Sequence, residues 1–136
     1  LKNHIDVDVR STQPVTISIN KDIPELIIYL KLINKSPFLD IEFDRGEFSL
    51  WLKHDHGMQP LSHICFLSKT FIKKGETKEI SYKHELNYFQ KEFVKKIKDD
   101  KSPLANLQSG KIFINSSLYP NTVLELNLDN KPCKIE

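Results

Sequence analysis

Small residues and arginine are scarce in this 136-residue chain. It contains 4 glycines, a single alanine and two arginines, Arg10 and Arg45, beside 18 lysines. Folds with many close backbone contacts need small side chains, so the composition disfavours them. Hydrophobic residues make up 39% of the chain and charged residues 28%, which is typical of a soluble globular domain with one core.

Cysteine is also rare, with only Cys65 and Cys133. Two cysteines cannot form a disulfide-dense scaffold, and neither belongs to a Cys-x-x-Cys pair. Cys65 lies between Ile64 and a phenylalanine, so we predict a buried, inert thiol. Cys133 lies among lysines and a proline, so we predict an exposed, unpaired thiol.

Long hydrophobic runs are absent, since no stretch approaches roughly 18 consecutive apolar residues, and no signal-peptide pattern is present. The sequence opens on Leu1 rather than Met. We therefore expect residues 1–136 to be a single domain excised from a longer chain, with a segment missing upstream.

The charges nearly balance, with 20 basic and 18 acidic residues. Lysine is locally in excess from Lys69 to Lys101, where 10 lysines face 6 acidic residues. Lys95, Lys96 and Lys98 could contact lipid headgroups or nucleic-acid phosphates. A solvated helix face explains them better, because arginine is nearly absent and no row of aromatic residues interleaves the lysines. We expect no nucleic-acid partner.

Strand-like alternation dominates the first half of the chain. Apolar residues recur at every second position in residues 5–9 and 15–19, so we predict one strand interrupted near Pro14 or two short strands. Residues 25–34 are apolar on both sides, which is typical of a central strand. The Asn34 to Pro37 segment predicts a turn.

Further strands are predicted around a reversal at Arg45-Gly46, a polar loop from His54 to Leu61 and a late helix. These strands occupy residues 39–44, 47–53, 64–71, 77–82, 112–114 and 124–128. The helix is predicted over residues 85–99 because apolar residues recur there at helical spacing, and these should pack on the core: Leu86, Phe89, Phe93 and Ile97. We therefore predict an all-β sandwich or barrel of seven or eight strands with one short amphipathic helix.

Short motifs in this order resemble the immunoglobulin-like domain of group-two late-embryogenesis-abundant proteins, also called water-stress and hypersensitive-response domains. The matching features are the apolar strand over residues 27–33, the corner from Asn34 to Pro37, Phe48-Ser49-Leu50, the turn from Phe71 to Thr77, and Gly110-Lys111-Ile112. The family usually has Asn-Pro without intervening residues, and its loop at the position of residues 54–61 is shorter.

This resemblance implies an antiparallel, immunoglobulin-like β-sandwich. Proteins of this kind are often membrane-attached through an N-terminal segment and are not known as enzymes. The resemblance thus implies a stress-related module at a membrane, tethered by the missing segment, and it supplies no catalytic residue to transfer.

Three histidines form the only cluster with metal-ligand composition: His54, His56 and His63. Imidazole and the carboxylate of Asp55 suit zinc, but the spacing matches no established zinc signature. We expect no metal and no cofactor.

Nucleophilic catalysis needs Ser or Cys beside His and an orienting acid, and neighbouring strand residues such as Ser62 and His63 point to opposite faces. We therefore expect no enzyme.

The candidate contact surface is the polar loop together with the outward-facing tryptophan before it. It comprises Trp51, His54, His56 and Met58. The leading hypothesis is a non-enzymatic binding or spacer module that contacts a protein partner through this surface. The alternative is a ligand-sensing barrel for a nucleotide or lipid that controls an attached effector segment, with a pocket lined by Tyr29, Trp51, Phe66 and Phe113.

Overall fold

The computed structural model describes residues 7–11, 13–99, 103–117 and 120–136. Its chain is mostly β-strand with one short helix, so the predicted all-β class is confirmed. The strands are β1 (Val7–Ser11), β2 (Val15–Ser18), β3 (Glu25–Asn34), β4 (Ile41–His54), β5 (Gly57–Ile72), β6 (Thr77–Glu85), β7 (Leu104–Ser116) and β8 (Thr122–Ile135). The helix α1 spans Tyr88–Ile97 and connects β6 to β7.

The strands form a β-sandwich with two layers. In one layer β3 is central. Strand β6 pairs with one edge of β3, and β1 and β2 pair with successive parts of its other edge. The second layer has the order β5-β4-β7-β8. Alternate residues of β3 and β4 are buried, and those from both strands belong to one hydrophobic cluster, so the two inner faces share a single core.

The interruption predicted at Pro14 is confirmed, since exposed Pro14 lies in the gap between β1 and β2. The expectation of a purely antiparallel sandwich is wrong at one place. Beyond Pro14, β2 pairs antiparallel with β3 and parallel with β8, with Val15 opposite Cys133. This parallel pair joins the two layers along one side of the sandwich.

The opposite side of the sandwich is closed by side chains. The Tyr82 hydroxyl donates to the Cys65 carbonyl at 3.0 Å, and Ser62 Oγ lies 2.9 Å from His84 Nε2. Burial lowers the pKa of His84 and raises that of Tyr82. We call these contacts between β5 and β6, together with the helix contact described next, the side-chain seam.

The helix begins three residues later than predicted because Glu85 still pairs with Glu25 at the end of β6. Asn87 caps the helix: its side chain accepts from the Gln90 N–H, and the Gln90 side chain accepts from the Asn87 N–H, both at 2.9 Å. Gln90 Nε2 also donates to the Leu61 carbonyl of β5 at 3.1 Å. This third contact of the seam fixes the rotation of the helix.

That rotation corrects the predicted packing face. Val94 and Ile97 are buried and Phe93 is half-buried, but Phe89 is 80% exposed. Residues 90, 94 and 97 lie on one face of a helix, and Phe89 lies about 100° away from Gln90 around the axis. Once Gln90 is fastened to β5, Phe89 therefore faces outward. Leu86 is buried as predicted, but it precedes the helix.

Two local expectations are also wrong. The predicted reversal at Arg45-Gly46 lies within the continuous strand β4, where Asp44 forms a bulge and buried Gly46 pairs with both neighbouring strands. The predicted loop over residues 54–61 is a tight hairpin turn at Asp55 and His56 followed by the start of β5. Its polar residues belong to an edge strand, whose outer face is solvated.

The cysteines exchange their expected environments. Cys65 is exposed because it lies on the outer face of edge strand β5, opposite Glu47. Cys133 is half-buried where β8 meets β2, and burial raises the pKa of its thiol to about 12. Within the described residues, no helix combines the length and apolar character needed to cross a bilayer.

Candidate binding site

The structure places the four predicted contact residues at one end of the β4–β5 hairpin, on two different faces. Trp51 is half-buried on the outer face, opposite Pro60 of β5 and Asn106 of β7. Met58 is 44% exposed, and its sulfur lies 2.8 Å from Asn106 Nδ2. Trp51 and Met58 thus flank a buried asparagine on the outside of the sheet.

The two histidines of that surface lie elsewhere. His54 continues the inward-facing row of β4, and its ring meets the half-buried Phe93 ring edge-on at 5.9 Å. His56 is exposed in the turn, with its ring 6.1 Å from that of His54. His54 therefore packs against the helix, which covers this end of the core.

His63 is remote from the other two histidines. It pairs with Ser49, whereas His54 pairs with Gly57 at the hairpin end, and five residues of strand separate the two positions by about 17 Å. Among the described residues, no group of three or more His, Cys, Asp or Glu side chains is arranged to hold a metal ion.

The aromatic residues considered for an internal pocket also lie apart. Tyr29 and Trp51 occupy half-buried outward positions on β3 and β4. Phe113 lies on β7 with the Arg45 guanidinium 4.1 Å from its ring centroid, a cation–π contact. The side chain of Phe66 lies outside the described part of the structure. The three described aromatics therefore do not converge on the shared core.

A cleft of about 400 Å³ lies at the opposite end of the outer face of β4. Its centre is a row across three strands, because Glu42 pairs with Phe71 of β5 and with Asn115 of β7. Its full lining is Phe38, Asp40, Glu42, Phe71, Asn115, Ser116 and Ser117. We call this site the acid–aromatic cleft.

The side chains of two phenylalanines line this cleft and are exposed to solvent. Phe38 is 84% exposed and Phe71 is 51% exposed. An exposed phenylalanine forgoes a burial free energy of about 1.5–3 kcal/mol, so two beside one cleft are a candidate ligand contact. Their rings and the two carboxylates of Asp40 and Glu42 give the cleft both apolar and anionic walls.

The corner that carries Phe38 is built around Asn34, which is fully buried. Its Nδ2 donates to the carbonyls of Leu39 at 2.8 Å and Ile72 at 3.2 Å, and its Oδ1 accepts from the Ser36 N–H at 3.0 Å. Ser36 Oγ accepts from the Leu39 N–H at 3.1 Å. The predicted turn is confirmed. These hydrogen bonds hold the backbone of residues 34–39 in place beside the cleft.

Glu42 of the cleft lies beside a second carboxylate, that of Asp44. A hydrogen bond with the Asp44 carboxyl raises the pKa of Glu42, with burial and the negative charge of Asp44 acting in the same direction and Lys69 opposing them. Asp44 Oδ2 accepts from Asn115 Nδ2. Asp44 Oδ1 is buried and has no hydrogen-bond partner within the residues described. A cationic ligand would relieve the repulsion between Glu42 and Asp44.

The acidic and aromatic residues of this cleft can be found in the sequence, but their spacing alone does not indicate a binding site. Asp40, Glu42 and Asp44 alternate with buried residues, which by itself indicates only a solvated strand face. Phe71 occupies the outward phase of β5, and Phe38 follows Pro37 in a polar turn. Only the register of β4 with its neighbours brings the aromatic and acidic residues together.

No family model and no curated protein matches the chain. Among solved structures, it is similar to a protein described as ApaA from Bordetella pertussis, with 11% identity, a TM-score of 0.52, and coverage of 96% of this chain and 94% of that one. It is also similar to a protein from Archaeoglobus fulgidus, with 13% identity, a TM-score of 0.49, and coverage of 93% and 96%. The first similarity shows a shared fold over nearly the whole length of both chains.

Proposed function

We propose that the chain is a non-enzymatic recognition module with immunoglobulin-like architecture. It binds a cationic side chain of a protein partner in the acid–aromatic cleft. The observation that carries this proposal is the row of Phe71, Glu42 and Asn115 across three strands, with Phe38 beside it. The two packed layers of mainly antiparallel strands over a shared core support the architectural part of the proposal.

The chemistry of the cleft favours an ammonium or guanidinium group. Phenyl rings attract cations through their negative faces, and a desolvated contact of this kind is worth about 2 kcal/mol. Glu42 and Asp40 line the cleft and supply negative charge for such a group. The apolar rings also accommodate the methylene stem of a lysine or arginine.

The test is titration of the isotope-labelled protein with millimolar n-butylammonium, followed by amide NMR shifts. We expect shifts at Phe38, Phe71 and Ser116, and none with n-butyrate. Glu42→Gln should abolish them. The matched variant Glu47→Gln, also on the outer face of β4, should leave them unchanged. Equal shifts with butyrate, or an unchanged response in Glu42→Gln, would refute cation recognition by the cleft.

Glu42→Gln should also stabilise the free protein at neutral pH. Because the folded-state pKa of Glu42 is raised, its contribution to stability is present at acid pH and is lost as the pH rises through that pKa. The neutral amide removes this loss, so its denaturation midpoint should exceed that of the wild type at pH 7 and match it near pH 3. A lower midpoint at pH 7 would contradict the proposed repulsion. A substitution that raises the stability of the protein and abolishes ligand binding is expected at a position that serves function rather than stability.

A further inference from the structure

The outward face of α1 combines exposed aromatic residues with lysines. Tyr88 is 69% exposed and Phe89 is 80% exposed, and their rings meet edge-on at 5.7 Å between centroids. Lys95 and Lys96 lie on the same side of the helix, because positions 88, 92 and 95, and positions 89 and 96, recur at helical spacing. Both lysines are exposed.

The charge around this face is mainly positive. From Tyr88 to Lys98 the chain has four lysines and one acidic residue, Glu92, which pairs with Lys95 at 3.6 Å. The first helical turn has no acidic residue. Glu85 and Asp99 flank the helix outside its limits. An anionic surface approaching the outward face therefore meets little repulsion.

We propose that the outward face of α1 docks on an anionic lipid bilayer, with the Tyr88–Phe89 pair in the headgroup layer and Lys95 and Lys96 against lipid phosphates. Aromatic side chains favour the boundary between water and hydrocarbon, and lysines near a membrane are attracted to its negative surface. The opposite face of the helix is held on the sandwich by Val94, Ile97 and Gln90. Docking therefore requires no rearrangement of the fold.

This inference does not depend on the acid–aromatic cleft, which lies at the other end of β4. The helix would provide a membrane contact within residues 1–136. A membrane surface is favoured over a nucleic acid because the outward face presents lysines and no arginine beside its aromatic pair.

The test is co-flotation of the 136-residue protein with phosphatidylcholine vesicles that do or do not contain 30% phosphatidylserine. We expect binding only to the anionic vesicles and a decrease with added salt. Phe89→Ser should weaken partitioning about tenfold through lost apolar burial. Lys95→Glu with Lys96→Glu should weaken it at least twentyfold, since each neutralised lysine accounts for about fivefold. The controls Val123→Ser, at another exposed apolar position, and the adjacent pair Lys73→Glu with Lys74→Glu should bind like the wild type.

A second measurement reports insertion directly. Trp51 is the only tryptophan, so Phe89→Trp in a Trp51→Phe background places one fluorophore at the proposed contact. Its emission should shift to the blue with anionic vesicles. Absence of wild-type flotation, or equal loss in the helix and control variants, would overturn the proposal. It would also fail if Phe89→Ser abolished self-association in sedimentation but left vesicle binding intact, because the face would then join two copies.

Discussion

Phe48→Ala should lower the free energy of unfolding by about 3–5 kcal/mol, the range for truncating a buried phenylalanine. Phe48 is fully buried in β4, opposite Ile64 of β5, and belongs to the core shared by both layers. Strand β4 is held by main-chain bonds to β5 and to β7, so it cannot collapse into the cavity. Urea denaturation followed by circular dichroism measures the loss.

Two matched variants separate the cavity from other effects. Phe48→Leu retains most of the apolar volume and should cost less than about 1.5 kcal/mol. Ser49→Ala, the next residue of the strand and outward-facing, should have little effect. If Phe48→Ala and Ser49→Ala had equal denaturation midpoints, Phe48 would not be a core residue and the assignment of the inner face of β4 would be wrong.

Asn34→Ala should cost about 3 kcal/mol or more, since it leaves the carbonyls of Leu39 and Ile72 and the Ser36 N–H without their partner, and each unsatisfied buried group costs about 1–3 kcal/mol. The loss should exceed that of Asn20→Ala, because Asn20 is exposed. Denaturant titration of both variants measures the difference.

The same variant should change the acid–aromatic cleft. Asn34 fastens the corner before Phe38 to the end of β5 after Phe71, so its removal should reduce the n-butylammonium shifts even where the protein remains fully folded. A variant with wild-type stability would show that these hydrogen bonds are energetically replaceable. Unchanged ammonium shifts would show that the corner does not position the cleft.

Local alternation predicted much of the fold because a strand with one buried face leaves a period of two in the sequence. The outward position of Trp51, the interruption at Pro14 and the turn at Asn34 follow from such local signals. The start of the helix after Asn87 could also be read from the sequence, since Asn87 and Gln90 form a capping box, but the apolar spacing of Leu86 and Phe89 indicated an earlier start.

Features that depend on distant contacts were not predictable in this way. The outward rotation of Phe89 follows from the bond between Gln90 and Leu61, which are 29 residues apart. The cleft depends on the register that aligns Phe71, Glu42 and Asn115 across three strands. A bulge at Asp44 shifts that register by one residue, and a shift of one exchanges the two faces of a strand.

The two sides of the sandwich are closed by different kinds of hydrogen bond, main-chain bonds on one side and side-chain bonds on the other. We therefore expect one side to act as a hinge between the two layers. Along β2 and β8 the layers share a main-chain ladder, extended by Glu136, whose N–H donates to the Ile17 carbonyl at 2.8 Å. Along β5 and β6 the side-chain seam joins them through Tyr82, His84 and Gln90. Breaking a few side-chain bonds requires less free energy than parting a ladder, so breathing motions of the two layers should pivot on β2 and admit water between β5 and β6.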